Sequence, residues 1–244
     1  MSRIYDTKET IDGKQVQTFF NSRAKKEANA VDAVMLQSAG STLATDRDKF
    51  ERENLLPRLD KPAKVVELGC GAGRLAPFYG AAGHQYLGLD FSDELIARAN
   101  AEAMASGTIH FQVAEVPYVK VEELKLEPPF DMLVVTGLMI YLNDEAVLDS
   151  FKLLAKLAAP KAKIYVRESL SDMDIRLTLK EHFSDELDDV YNAIYRTTAE
   201  LKAVMDDTLI ADGFRYEVCG EYAFPPALRN RTETTQRYFT LTRD

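Results

Sequence analysis

An α/β fold built on a doubly wound parallel sheet is predicted for this 244-residue chain by three observations. Strand-like apolar runs alternate with helical patterns from about Lys64 to Glu168. The first run, Val65-Val66-Glu67-Leu68, leads directly into a glycine-rich turn, Gly69-Cys70-Gly71-Ala72-Gly73. The second, Gly88-Leu89-Asp90, ends in a carboxylate 21 residues after Gly69.

The elements follow in order. Residues 1–58 contain two stretches that read as helical, from about Glu27 to Gln37 and from Thr45 to Leu55, and form an expected N-terminal helical cap. The core, residues 59–168, opens with a strand at Lys64 to Leu68, then a helix from about Arg74 to Ala82 closed by Gly83. A second strand covers Tyr86 to Asp90. Ser92 is the expected N-cap of the next helix, with Asp93 and Glu94 favourably placed against its dipole. Leu95, Ile96, Ala99 and Ala103 share one face of that helix, which therefore packs on the sheet.

The third strand is Ile109 to Val113, and the fourth is Phe130 to Val135, after Pro128-Pro129. A helix from Asp144 carries Val147, Leu148, Phe151, Leu154, Ala155 and Ala158 on one stripe and stops at Pro160. The fifth strand is Ala162 to Arg167, with Glu168 at its carboxyl edge. Residues 169–205 form a polar insertion over the site, expected to be helical up to about residue 196. Within it, Thr197-Thr198-Ala199-Glu200 has capping-box spacing and opens a helix with Leu201, Val204, Met205 and Leu209 inward. Residues 206–244 complete that helix and add two strand-like runs, Arg215 to Tyr222 and Arg237 to Thr242.

Composition narrows the function. A hydrophobic fraction of 46% with 28% charged residues is that of a globular protein, and no apolar run approaches the ~20 residues of a membrane span. The N-terminus shows no apolar signal core, so a cytoplasmic location is the default expectation. A net charge of −9 opposes non-specific binding to nucleic acid. The two cysteines and three histidines have no metal-ligand spacing, and no metal is expected.

The glycine turn carries the chemistry. Glycine lets a backbone leave a strand at positive φ and lie flat against a ligand, and an acid ending the next strand reaches a ribose diol. A dinucleotide fingerprint needs a glycine at the position of Arg74, and Glu67 would repel a pyrophosphate while attracting a cationic amino group. A nucleotide-type cofactor other than a dinucleotide is therefore expected.

The run Glu67-Leu68-Gly69-Cys70-Gly71-Ala72-Gly73, together with Asp90, resembles the class I S-adenosylmethionine-dependent methyltransferases. The resemblance implies a Rossmann-like seven-stranded sheet with an antiparallel last strand, an N-terminal helical cap and an insertion after strand five. It also implies S-adenosylmethionine as cofactor. Gly69, Cys70 and Gly71 would run along its methionine and ribose, and Glu67 would support its amino group. Asp90 would bind the ribose hydroxyls and Phe91 would lie against adenine. Ala114 and Glu115 follow the third strand where the adenine amino group would be read, although Glu115 reads equally as an exposed loop glutamate. Thr136, Gly137 and Leu138 would pass beside the methyl group.

In-line methyl transfer needs an aligned acceptor more than a dedicated catalyst. Tyr141 would orient that acceptor, or it is a buried tyrosine with a satisfied hydroxyl. A base is needed only for an alcohol or a protonated amine, and Glu168 and His182 are the candidates. Their plain alternatives are a pairing of Glu168 with Arg167 and a solvent-facing His182. Arg167, Tyr195, Arg196, Arg229 and Arg231 are candidate acceptor contacts, because arginine grips carboxylate or phosphate with two hydrogen bonds. Arg229 and Arg231 could instead solubilise a loop or pair with Glu221 and Glu233.

The expected activity is methylation of an oxygen or nitrogen on a small molecule, a saccharide or natural-product intermediate. One alternative is a protein or RNA methyltransferase, disfavoured by the acidic charge. It is also disfavoured by Thr136-Gly137-Leu138-Met139, which stands where an Asn/Asp-Pro-Pro-Tyr/Phe motif would be. The other is a non-catalytic S-adenosylmethionine-binding module. The acceptor and the oligomeric state stay open.

Overall fold

A computed structural model describes residues 2–27, 30–35, 41–103, 107–184 and 187–243. Seven strands form the main sheet: β2 (Lys64–Leu68), β3 (Gln85–Asp90), β4 (Ile109–Val113), β5 (Phe130–Thr136), β6 (Ala158–Ser171), β9 (Phe214–Tyr222) and β10 (Thr234–Arg243). Their order is β4-β3-β2-β5-β6-β10-β9. The first five are parallel, and β10 runs antiparallel to both β6 and β9. The seven-stranded sheet with its antiparallel last strand is thus the expected one.

The central strands are buried on both faces, which is why they read as continuous apolar runs rather than alternations. Val65, Val66, Leu68 and Met132 to Val135 are fully enclosed. Helices α4 (Ala76–Ala81), α5 (Asp93–Glu102), α6 (Asp144–Leu157) and α7 (Thr198–Met205) complete the doubly wound layers. Their caps are those the sequence announces: Ser92 Oγ accepts the Leu95 N–H at 3.1 Å, and Thr197 and Glu200 exchange both capping-box hydrogen bonds. Strand order reverses at β2 and β5, so a crevice opens beyond their carboxyl ends, where ligands bind in such sheets.

The N-terminal segment departs from expectation. It begins with a strand, β1 (Ser2–Tyr5), and its longest helix is α1 (Gly13–Lys26), ahead of the expected Glu27–Gln37 stretch. Asp12 caps α1 by accepting the Lys14 N–H at 2.8 Å. Val16, Phe19, Phe20 and Arg23 form its buried stripe. Only α2 (Ala30–Met35) falls in the expected stretch, and residues 28, 29 and 36–40, Gln37 among them, lie outside the described residues. The second expected helix is present as α3 (Leu43–Asn54).

The insertion is β rather than helical. β6 continues four residues past Arg167 to Ser171, because β10 supplies a partner as far as Thr234, so Glu168 lies inside a strand rather than at its end. A hairpin of β7 (Leu177–Ser184) and β8 (Asp189–Tyr195) follows. Pairing decides this: β7 lies between β1 and β8 in a three-stranded antiparallel sheet, with Tyr5 opposite Leu177 and Ser2 opposite Lys180. A partner 170 or more residues away in sequence leaves no local periodic signal. The start of the chain and the insertion therefore close over the crevice as one layer.

Candidate active site

The glycine loop is shaped by two close approaches. Gly69 and Gly71 have φ of 72° and 55°. A Cβ on Gly69 would stand 3.0 Å from the Leu138 side chain, and one on Gly71 would stand 2.5 Å from Val34 Cγ1. The loop is pinned to β3 by the Gly69 and Cys70 N–H groups, which donate to Leu89 O at 2.8 and 3.0 Å. Asp90 holds both ends of the turn region. Its Oδ2 accepts the Gly71 N–H at 2.8 Å and its Oδ1 accepts the Ser92 N–H at 2.9 Å. Burial pushes its carboxyl up to about 6, against the pull of these backbone donors.

These residues line a cavity of about 810 Å³, of the size that takes a nucleoside ligand. Gly69, Gly71, Asp90, Phe91, Ala114, Glu115, Thr136, Gly137, Leu138 and Tyr141 all face it. Helix α1 forms the opposite wall with Lys14, Gln17 and Phe20. Gln17 donates to Phe91 O at 2.7 Å, and Asn21 donates to Asp93 Oδ1 at 2.9 Å, fastening α1 over the end of β3. That wall was not read from the sequence, although Val16, Phe19, Phe20 and Arg23 at helical spacing after Asp12 would have marked the helix.

A smaller chamber of about 180 Å³ adjoins it, and Val34, Gly69, Gly71, Thr136, Gly137 and Tyr141 face both spaces. Its walls include Glu67, Cys70, Arg74, Arg167, His182, Tyr191, Tyr195, Arg229 and Arg231. Cys70 is buried, and burial pushes its thiol well up. Glu67 is buried with Tyr86 Oη donating to Oε2 at 2.5 Å and Thr136 Oγ1 donating to Oε1 at 3.2 Å. Desolvation outweighs the nearby Arg74 and these donors, and lifts its carboxyl to about 7.

Behind the chamber lies a buried charge network centred on α3. Glu51 Oε1 accepts from Arg167 Nε at 2.6 Å and Tyr165 Oη at 2.9 Å, while Oε2 accepts from Arg74 Nη2 at 2.7 Å. Arg74 Nη1 donates to Asp48 Oδ1 at 2.8 Å. Burial alone would raise the Glu51 carboxyl, but Arg167 and Arg74 prevail and hold it down at about 2. Along the chain nothing marks this network: Asp48 and Glu51 sit on a charge-rich helix, and their partners Arg74, Tyr165 and Arg167 come from the end of the glycine loop and from β6.

The other expected contacts divide. His182 faces the small chamber from β7, opposite Tyr191 in the hairpin register. Arg167 faces it too, with its guanidinium held by Glu51 and by Gln236 Oε1 at 2.6 Å. Arg229 stacks 3.8 Å over the Tyr222 ring and donates to Phe224 O. Glu233 pairs with Arg3. Glu115 is exposed at the rim of the larger cavity.

Glu168 and Arg196 line neither cavity. Glu168 Oε1 accepts the N–H groups of Leu138 and Met139 at 2.9 and 3.1 Å, fixing the turn after β5. Arg196 donates to Met139 O and Leu142 O, each at 2.7 Å, and to Asp144. Both side chains are drawn inward because that turn leaves backbone groups that need partners. Among the described residues, no group of three or more His, Cys, Asp or Glu could hold a metal ion. No described helix is long and apolar enough to cross a membrane.

Comparison with known proteins agrees with this geometry. Residues 46–206 match the family described as "Methyltransferase domain". Phosphoethanolamine N-methyltransferase 1 of Triticum aestivum is 33% identical over 145 residues, covering 57% of this chain but 27% of that protein. The chain thus spans about a quarter of the curated relative it matches. Haemonchus contortus phosphoethanolamine N-methyltransferase 1, solved with phosphoethanolamine and S-adenosylhomocysteine, superposes with a TM-score of 0.67 at 18% identity. That match covers 94% of this chain and 48% of the other. Magnesium protoporphyrin IX methyltransferase from Synechocystis PCC 6803, solved with S-adenosylmethionine, gives a TM-score of 0.59 at 18% identity over 98% of this chain and 100% of that one. Both superpositions establish a common fold. With two thirds of its length inside the family match, and the glycine loop and Asp90 in place, this chain belongs to the methyltransferase domain family as a class I S-adenosylmethionine-dependent methyltransferase.

Proposed function

We propose that the protein transfers a methyl group from S-adenosylmethionine to a nitrogen or oxygen of a small molecule seated in the 180 Å³ chamber. The observation that carries this reading is the shared wall. Gly69, Gly71, Thr136, Gly137 and Tyr141 face both cavities, so a cofactor in one meets an acceptor in the other only there. The cofactor supplies an electrophilic methyl carbon: the acceptor's electron pair forms the new bond, the carbon–sulfur pair returns to sulfur, and the acceptor loses a proton to water.

The residues of the larger cavity suit such a ligand. Asp90 presents a carboxylate to a ribose diol, Phe91 offers a ring to adenine, and Ala114 and Glu115 stand at the adenine end. Gly69 and Gly71 leave room that a Cβ would fill. Glu67 lines only the smaller chamber, so it would meet the cationic amino group where the methionine end of the cofactor reaches the shared wall, and that arrival would draw its carboxyl back toward ionisation.

For the acceptor, the arginines of the small chamber favour an anionic group, with Arg229, Arg231 and Tyr195 as contacts and His182 in the same wall to relay the released proton to water. Relatives named for phosphoethanolamine fit an acceptor that joins an anion to an amine. A charged saccharide or natural-product intermediate meets the same requirement.

The test is calorimetric titration with S-adenosylhomocysteine, with NAD as control, followed by turnover with phosphoethanolamine and a panel of anionic sugars. Micromolar S-adenosylhomocysteine binding without NAD binding is expected. Asp90→Ala should weaken that binding by about 1–3 kcal/mol through the lost hydrogen bonds. Binding of NAD alone would overturn the reading.

A further inference from the structure

Three phenols stand in a row across the chamber. Tyr141, in the turn after β5, has its hydroxyl 3.0 Å from that of Tyr191, which is 3.4 Å from that of Tyr195; both partners lie on β8. All three side chains face the small chamber, and Tyr141 alone of them also faces the cofactor cavity. The rings are held in place by two edge contacts and one tilted contact. Phe20 meets Tyr141 at 4.9 Å and 86°, Tyr141 meets Tyr191 at 6.1 Å and 84°, and Phe19 lies 5.6 Å from Tyr191.

We propose that Tyr191 and Tyr195 are positioning residues that set the donor direction of the Tyr141 hydroxyl, leaving its lone pairs to accept an N–H or O–H from the atom to be methylated. This rests on the methyltransferase reading above and goes beyond it in naming what aims the nucleophile.

Each phenol has one proton to give. If Tyr141 donates to Tyr191 and Tyr191 to Tyr195, the Tyr141 oxygen can only accept at the shared wall. It then binds the acceptor through a hydrogen and leaves the acceptor's electron pair free to face the methyl carbon. The reverse direction would aim the Tyr141 proton at that same electron pair and block attack. Donation along a row strengthens each member in turn, so a Tyr141 that donates to Tyr191 is held in that direction by the onward donation from Tyr191 to Tyr195. Burial pushes the phenols of Tyr141 and Tyr191 far up, so they stay protonated and act by orientation rather than by taking the proton. The hydrogen that Tyr141 accepts leaves to water once the new bond has formed. The nucleophile must therefore carry a hydrogen, as an amine or a hydroxyl does and a tertiary amine or thioether does not.

The test needs no knowledge of the acceptor. Sinefungin carries a protonated amine where S-adenosylmethionine carries its transferable methyl, so it presents an N–H donor at the place Tyr141 guards. Binding of sinefungin and S-adenosylhomocysteine to the full chain is compared by calorimetry in the wild type, Tyr141→Phe, Tyr191→Phe and the double variant. Each change removes one oxygen and keeps the ring.

The wild type should prefer sinefungin, and Tyr141→Phe should cut that preference about tenfold, the worth of a hydrogen bond to a charged group. Tyr191→Phe should cut it by a similar factor without touching S-adenosylhomocysteine affinity, and the double variant should fall no further than Tyr141→Phe. A Tyr191→Phe protein that keeps the wild-type preference would overturn the proposal, as would a wild type with no preference. Failure of the wild type to bind S-adenosylhomocysteine would instead remove the methyltransferase reading, and the phenol row with it.

Discussion

Replacing Glu168 by glutamine should change the pH dependence of stability in a calculable way. Glu168 is fully buried in β6, with Oε1 accepting two backbone N–H groups and Oε2 without a hydrogen-bond partner among the described residues. Burial lifts its carboxyl from an ordinary 4.5 to about 7, against the two N–H donors and the fields of Arg167 and Arg196. Because the folded value lies above the unfolded one, the native state holds more protons between these limits. Stability contributed by this group is therefore full below pH 4.5 and is lost as pH rises toward 7.

The whole difference corresponds to about 3 kcal/mol, most of which falls between roughly pH 5 and 8. Glutamine mimics the protonated acid, keeps an oxygen for Leu138 and Met139, and does not titrate. The variant should match the wild type within about 1 kcal/mol near pH 5 and exceed it by about 2–3 kcal/mol near pH 8. Urea unfolding at both pH values measures this. Glu67 and Asp90 titrate in both proteins and cancel in the difference. A gap between the two proteins that stays constant with pH would refute the reasoning.

Two further outcomes follow from the packing. Glu51→Ala should cost about 3–5 kcal/mol in urea unfolding at neutral pH, because it strands Arg74 and Arg167 without their shared carboxylate; a loss below about 1 kcal/mol would show that the network contributes little. Gly71→Ala should weaken S-adenosylhomocysteine binding by at least about tenfold, since its φ of 55° and the 2.5 Å approach to Val34 force the loop to shift. Unchanged affinity in calorimetry would show that the loop does not seat the cofactor.

Much of the core was legible because its signals are local. Val65 to Leu68 must be a buried strand wherever it is placed, Gly69 and Gly71 announce a turn that bears no side chain, and Ser92 and Thr197 name helix starts by their own hydrogen bonds. The cofactor cavity followed because Gly69 comes directly after β2 and Asp90 ends the adjacent parallel strand β3, so one short crossover brings them side by side. The chamber was less legible. Its Tyr195, Arg229, Arg231 and His182 stand out by chemical type, and Tyr191 opens an aromatic, hydrogen-bonding run to Thr197, but nothing along the chain says that its hydroxyl joins those of Tyr141 and Tyr195.

The sequence by itself thus determined the parallel sheet, the glycine turn, the acid at position 90 and the cofactor class, each carried by residues within a few positions or one crossover of each other. Tertiary structure alone decided that Leu177 to Ser184 is a strand, that Arg196 and Glu168 serve the turn after β5, and that Glu51 joins Arg74 to Arg167. Those outcomes depend on partners such as Ser2–Tyr5 for β7 and Tyr165 for Glu51, brought together from distant parts of the chain. Strand pairing and buried ion pairing are satisfied in space, and their cost or gain is fixed only when the partner arrives.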